Sequence, residues 1–506
     1  MKGQSRRRVL QTGVFAAVSG AAAASTTGRA TAAVPATPPG PTPPVRKSGG
    51  ALPFLEGAFT PATKELTAFG LDVTGKIPRD LDGRYLRTGP NALGLEDPRA
   101  HHWMLGDGMV HGVRLRAGRA EWYRNRWVRS SQVAEKLGET YPGPLPPDDF
   151  ACNTHVIGYK GRVLALQEGG PLPYELDGDL STLRTHDFRS TLTGSFTAHT
   201  KYDPAADELH AVTYYPTWDH VRHLVIDRTG RLTRTHRIPV ADAPMMHDFA
   251  LTEKYVVIVD VPLTFDEQAA RAGALVPYEW NPRHPMRLGV MPRTGGNVRW
   301  FSIDPVYFSH TLNAYDDGNR LVIEYTSMPT PFYAAGLGSG GPTATGAPTL
   351  DRWTIDVPRN HVTATRIDDL PQEFPRINEH LTTRRHRYGY TASAAEMWRA
   401  YETVDGHIPD TKFTNCLVKH DMLRSTRQVR RFPTGAAVSE PVFVPRRGAR
   451  DEDDGYVLSY VNDPGRGATD LVILAAQDFT GHPLARIHLP GRVPLGFHGS
   501  WVADAW

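Results

Sequence analysis

The chain has 506 residues, with 57 Lys+Arg against 54 Asp+Glu and 40% hydrophobic content. Its 10 Trp, 19 Tyr and 18 Phe supply too much apolar surface for an intrinsically disordered protein, and its 47 Gly and 42 Pro follow no short period, which excludes collagen-like and coiled-coil chains. The net charge of +3 is carried by residues 1–32, where Lys2, Arg6, Arg7, Arg8 and Arg29 stand without any acid; the rest carries −2, lacking the basic footprint of a nucleic-acid binder.

Read in chain order, residues 1–32 predict a signal peptide. Ser5-Arg6-Arg7-Arg8-Val9-Leu10 leads into a short weakly apolar stretch and small residues at Ala30-Thr31-Ala32. The arginine pair makes it similar to a twin-arginine signal, which implies export of a folded protein to the periplasm or exterior; a chain whose signal does not function stays cytoplasmic. Residues 33–50 form a Pro-rich linker, and residues 51–506 form a single domain. Beyond the linker no apolar run is long enough for a spanning helix. Cys152 and Cys416 are too few for a disulfide framework; they read as two buried thiols, with pairing after export the alternative.

From Leu52 onward short strands alternate with turn signals. Residues 155–167 predict a hairpin turning at Lys160-Gly161, residues 208–215 an alternating strand, and residues 223–234 a hairpin turning at Thr229-Gly230. Residues 254–261 read as a buried strand; further turns fall at Thr294-Gly295-Gly296 and Asp316-Asp317-Gly318-Asn319, and strands resume at 416–423, 455–461 and 470–477. Helices are expected only near Phe265–Ala274 and Ser393–Tyr401, as insertions. Some 400 residues of strands without βαβ alternation favour small sheets repeated around an axis, an all-β propeller. Blade number cannot be counted from periodicity.

Several motifs fail their context. Gly336–Gly341 fits G-x-G-x-x-G but has neither a preceding strand nor a following helix, so it reads as a loop. Asp451-Glu452-Asp453-Asp454-Gly455 reads as a charged hairpin turn rather than a calcium loop. Histidine, with 21 copies, is the remaining lead. His220, His223, His236, His284 and His386 sit among polar residues and are expected to be solvated. His199, His247, His310 and His498 instead end or interrupt strand-like runs beside small or aromatic residues, with gaps of 48, 63 and 188 residues. Such gaps span blades, and a propeller brings its inner strands to one axis where distant histidines can share a metal. Each taken alone is better explained by a hydrogen-bonded core histidine.

These four segments, F-T-A-H, M-M-H-D-F, Y-F-S-H-T and F-H-G-S-W, resemble the iron-histidine motifs of the carotenoid cleavage oxygenases. The resemblance runs from Phe54 to Trp506. It includes residues 75–91 (G-K-I-P-R-D-L-D-G-R-Y-L-R-T-G-P-N), 102–112, 164–176, 373–378 and 439–445. It implies a seven-bladed β-propeller capped by loops and short helices, with one Fe(2+) on the axis held by His199, His247, His310 and His498. It further implies that Glu168, Glu373 and Glu440 accept Nδ1–H bonds from three of those rings, and that Thr154 crowds one open iron position. The implied activity is cleavage of a conjugated C=C bond of a carotenoid or apocarotenoid by O2 into two carbonyl products. A stilbenoid substrate is the nearest alternative, and a non-catalytic lipid-binding propeller a third; the segment R-N-R-W-V-R (124–129) is more similar to the carotenoid branch. The implied partners are O2 and an apolar polyene, with peripheral membrane contact for substrate uptake. Trp103, Phe308 and Trp501 flank the motifs and read as core packing or as tunnel lining. Asp316 stands where relatives often carry Glu, which keeps the charge.

Overall fold

The computed structural model describes residues 52–504 apart from 53, 147–148, 150, 275, 330–345, 401 and 403–407. The signal, the linker and the Gly336–Gly341 loop lie outside the described residues. Seven antiparallel sheets follow one another around a ring. Blade one holds Leu66–Ala68, Arg119–Trp127, Asp107–Arg116, Gly83–Asn91 and, innermost, Gly499–Ala503. Blades two to six are four-stranded and begin at the axis with His155–Tyr159, Thr200–Asp203, Phe249–Leu251, Tyr307–Asp317 and Gln372–Ile377. Blade seven carries Ala437–Val438 and Val442–Pro445 on its inner side and Val73–Gly75 on its outer edge. The ring is therefore stapled twice: the last strand completes the first blade, and a strand near the start completes the last.

The predicted hairpins form where the turn chemistry put them. Lys160 (φ 48°) and Gly161 (φ 73°) both take positive φ between His155–Tyr159 and Arg162–Leu166, the geometry that suits the right-handed twist of a two-residue hairpin. Gly230, Gly295 with Gly296, and Gly318 take positive φ at the other three turns. The apolar faces of adjacent blades meet in separate clusters, the largest joining blades three to five around Phe249, Phe308, Tyr325 and Trp353. Phe308 is stacked on Trp353 in that core, and Trp501 is half-buried against the cluster containing Tyr85 and Tyr460.

Helix is sparser than the expectations allowed. Only Glu267–Arg271, capped by Asp266, forms inside the first expected stretch. The second resolves into the end of strand Tyr388–Ser393 and a single 3-10 turn at Met397–Arg399, because Ser393 stays paired with Gln372 in the sheet. An unexpected helix, Ser131–Leu137, follows blade one, with Ser130 capping its start and Gly138 (φ 68°) its end. The acidic stretch near Gly455 is also more than a solvated turn. Glu452 accepts the backbone N–H groups of Arg387 and Tyr388, and Asp453 pairs with buried Lys419 at 2.6 Å, tying blade seven to blade six. Cys152 and Cys416 are both free and buried. Among the described residues no helix is long and apolar enough to cross a membrane.

Over the axial end of the ring, 3-10 turns at Gly57–Phe59, Trp103–Leu105 and Met397–Arg399 pack an apolar cluster with Phe374 and Leu495. Trp103 is buried there, its indole N–H donating to the Leu495 carbonyl.

Candidate metal centre

His199 and His498 each stand immediately before an innermost strand, and His247 two residues before one. His310 lies inside Tyr307–Asp317, where the register slips between Phe308 and Thr311; such an irregularity re-aims a side chain. The four rings, from blades three, one, four and five, converge on the axis. Ring centroids are 4.4 Å apart for His199–His247, 4.8 Å for His199–His498 and His310–His498, 4.9 Å for His247–His310 and 5.1 Å for His199–His310.

The three blades that supply none of these rings supply the carboxylates behind them. From blade two, Glu168 accepts a hydrogen bond from His247 Nδ1 at 2.8 Å and from the Tyr214 hydroxyl at 2.6 Å. Glu373 of blade six accepts from His310 Nδ1 at 2.7 Å, from the Phe374 N–H and from the Thr326 hydroxyl. Phe374 takes φ +54°, and the kink at this bulge turns Glu373 towards His310 while the Phe374 ring packs on it at 5.8 Å. Glu440 of blade seven accepts from His498 Nδ1 at 2.8 Å, from the Gly499 N–H at 2.8 Å and from Arg376 at 2.8 Å. In each case the Nδ1–H is spent on a carboxylate, which fixes the tautomer and leaves Nε2 as the basic atom.

Over residues 59–503 the chain matches the family model described as retinal pigment epithelial membrane protein. It is 41% identical over 502 residues, 89% of this chain and 97% of the relative, to a carotenoid cleavage oxygenase of Mycobacterium tuberculosis. The chain belongs to the carotenoid cleavage oxygenase family. A carotenoid 9,10(9',10')-cleavage dioxygenase of Crocus sativus is 30% identical over 494 residues, covering 89% of each chain. Among solved structures, the lignostilbene dioxygenase of Pseudomonas brassicacearum superposes with a TM-score of 0.79 at 27% identity, covering 91% of this chain and 100% of that one.

The donor set fits a metal ion. The ligand-capable atoms of His199, His310 and His498 lie within 4.8 Å of one another. His199 Nε2 is buried with no hydrogen-bond partner among the described residues, and His247 Nε2 faces His310 Nε2 at 3.0 Å. Two basic nitrogens at that separation, beside a third without a partner, are the arrangement a shared cation stabilises. Glu168 is within the same reach of His199 and His247, but both its oxygens are committed, so it supports the site from behind. Burial and the neighbouring rings push the His199 pKa well below its ordinary value, and burial lowers that of His498 despite Glu440. Burial opposes charge on His247 as well, but the Glu168 carboxylate outweighs it and raises the pKa. Burial disfavours the charged form of Glu373, yet His310 and the other donors hold its pKa down at about 2.

Thr154 begins blade two. Its hydroxyl donates to Asn153 at 3.1 Å, and its carbonyl accepts the His498 N–H at 3.0 Å, so it ties blade two to the start of the closing strand. The segment 124–129 runs along the next-to-outermost strand of blade one and beyond its end, and no hydrogen bond joins it to the four histidines. The histidines expected to be solvated are mostly core residues: His223, His284, His386 and His220 are all buried, and only His236 is partly exposed. His223 pairs across strands with His210, His284 with Asp260 and His386 with Glu324, contacts that polar sequence neighbours do not reveal, whereas His220 bonds its own neighbour Asp219. Two residues of the site are absent from the sequence expectations. Tyr214 orients Glu168. His155 follows Thr154 and lines a cavity of about 520 Å³ that runs from His199, His310 and His498 along the inner strands past Leu312, Ile377 and Val442. Its only sequence signal was a place at the head of an inner strand, shared with His199 and His498.

Proposed function

We propose that this protein is a non-haem Fe(2+)-dependent dioxygenase that cleaves a conjugated C=C bond of a carotenoid or apocarotenoid, adding one atom of O2 to each fragment. The observation that carries the reading is the convergence of His199, His247, His310 and His498, three of them backed by carboxylates. Four neutral imidazoles would leave a divalent ion its full +2 charge; bound there, Fe(2+) would supply one-electron chemistry with O2. The chain's own residues do the rest. Glu168, Glu373 and Glu440 keep the rings in one tautomer and one orientation, Thr154 holds the His498 N–H from blade two, and the Phe374–Trp103–Phe497 wall excludes water from the cap side.

The test is to purify the mature protein, quantify iron, and assay an apocarotenal and a hydroxystilbene side by side under O2. Stoichiometric iron with aldehyde or ketone products from the apocarotenal supports the proposal. Preferred turnover of the hydroxystilbene moves the substrate class to the stilbenoids, the reading favoured by the likeness to a lignostilbene dioxygenase. Iron-free protein that still binds polyenes favours a lipid-binding propeller and sinks the oxygenase reading. The arginine pair and the Pro-rich linker support export, which cell fractionation tests; full-length chain found only in the cytosol contradicts it. An apolar substrate also favours uptake from a membrane surface, tested by cosedimentation with vesicles.

A further inference from the structure

His155 is a fifth histidine at the axis, and nothing in the ligand set or its carboxylate support uses it. Its Nδ1 stands 3.0 Å from the Ala198 carbonyl, the residue before His199. A carbonyl oxygen only accepts, so Nδ1 carries the proton and Nε2 presents a lone pair. That Nε2 is buried, without a hydrogen-bond partner among the described residues, and the ring lies 5.3 Å from that of His498 on the wall of the axial cavity. The rings of His247, His310 and His498 have spent their Nδ1–H groups on carboxylates, so none offers that proton to His155. A buried acceptor is costly to leave unmatched, and the cavity carries polar groups at its histidine end and is roomy enough for a small donor.

We propose that His155 is a positioning residue whose Nε2 accepts a hydrogen bond from a water molecule held in the axial cavity against the metal bound by the four histidines. The inference rests on the metal reading above. It makes blade two responsible for where solvent stands beside the ion.

Cobalt(II) substitution reads this without turnover, because its visible ligand-field bands report coordination by solvent. Wild type, His155→Phe and His155→Gln are loaded with Co(II), their cobalt content and melting temperatures measured, and their visible spectra compared. The expected result is wild-type cobalt content throughout, a shift of the bands towards lower coordination in His155→Phe, and a wild-type spectrum in His155→Gln, whose amide oxygen restores an acceptor. A spectrum unchanged in His155→Phe overturns the proposal. So does an equal shift, or an equal loss of cobalt, in both variants, since ring packing or direct ligation then explains His155. His155→Leu carries the same comparison if His155→Phe does not fold. Wild type that takes up no cobalt sinks the metal centre itself, an outcome distinct from the others.

Discussion

Glu373 stands behind His310, held by three hydrogen-bond donors (a ring N–H, a backbone N–H and a hydroxyl) and aimed by a bulge. Replacing it with Gln keeps the shape and an amide oxygen towards His310 Nδ1–H and the Phe374 N–H, but it removes the negative charge and turns an NH2 towards the Thr326 hydroxyl. Outer partners of this kind typically account for about 10–100-fold in metal affinity or activity. Glu373→Gln is therefore expected to lower iron affinity by that order, read by competition with a chelator, with little change in melting temperature. His111 makes a prediction of a different kind. Burial drives its pKa down to about 3, and its ring bonds the Tyr123 hydroxyl at 3.0 Å, so it folds as the neutral form. The unfolded ring titrates near about 6.5, so its contribution is complete above that pH and is lost as pH falls from about 6.5 towards 3. Burial acts in the same direction on His102 and His223. Denaturation midpoints should be flat above pH about 6.5 and fall below it, with a shallower fall in His111→Phe; a midpoint that does not move between about 6.5 and 4 contradicts this.

At the scale of elements, turn chemistry was legible because it is local. Lys160-Gly161 and Asp317-Gly318 announce positive φ without reference to anything distant. The strand that closes the ring was not legible as such, because F-H-G-S-W-V gives no hint that its partner lies four hundred residues earlier. Gly499 shows why a side chain is refused there: a Cβ would stand 2.3 Å from the Leu86 carbonyl oxygen and 3.1 Å from Arg87 Cα. Its N–H also donates to Glu440, so the same residue fastens the strand and braces the carboxylate behind His498. Gly499→Ala is expected to destabilise by about 1–3 kcal/mol, the usual range for forcing atoms into a packed site, and to lower iron occupancy along with it. Chemical denaturation and metal analysis of one preparation check both. The helix at Ser131–Leu137 was missed for the opposite reason: seven residues hold too few turns for an apolar period to stand out, and its caps decide it.

Across the whole molecule, cohesion comes from interfaces between blades. Trp353 is nearly fully buried in the cluster that joins blades three to five, stacked on Tyr325 at 3.8 Å and on Phe308 at 5.7 Å of its own blade. Trp353→Ala should cost about 3–5 kcal/mol without altering any contact of the histidines, a loss measurable by urea titration. Ending the chain at His498 should do more. It removes the innermost strand of blade one, which also packs against blades two and seven, and takes the Gly499 brace from Glu440. That truncation is expected to bind no iron even where circular dichroism still reports β-structure; full iron occupancy would argue that the closing strand is dispensable.

The chain's own order of residues determined the all-β class, the hairpins and, through ordered motifs spread from Phe54 to the C-terminus, the family and its candidate histidines, since these depend on local conformation or on residue identity. It left His155, Tyr214 and the buried histidine pairs undetected and could not count the blades. Those depend on which inner strand stands beside which around the axis, and that adjacency joins residues tens to hundreds of positions apart. Only the closed ring sets four imidazoles from four blades against carboxylates from the other three, because burial and register, which no single segment carries, decide where each side chain points.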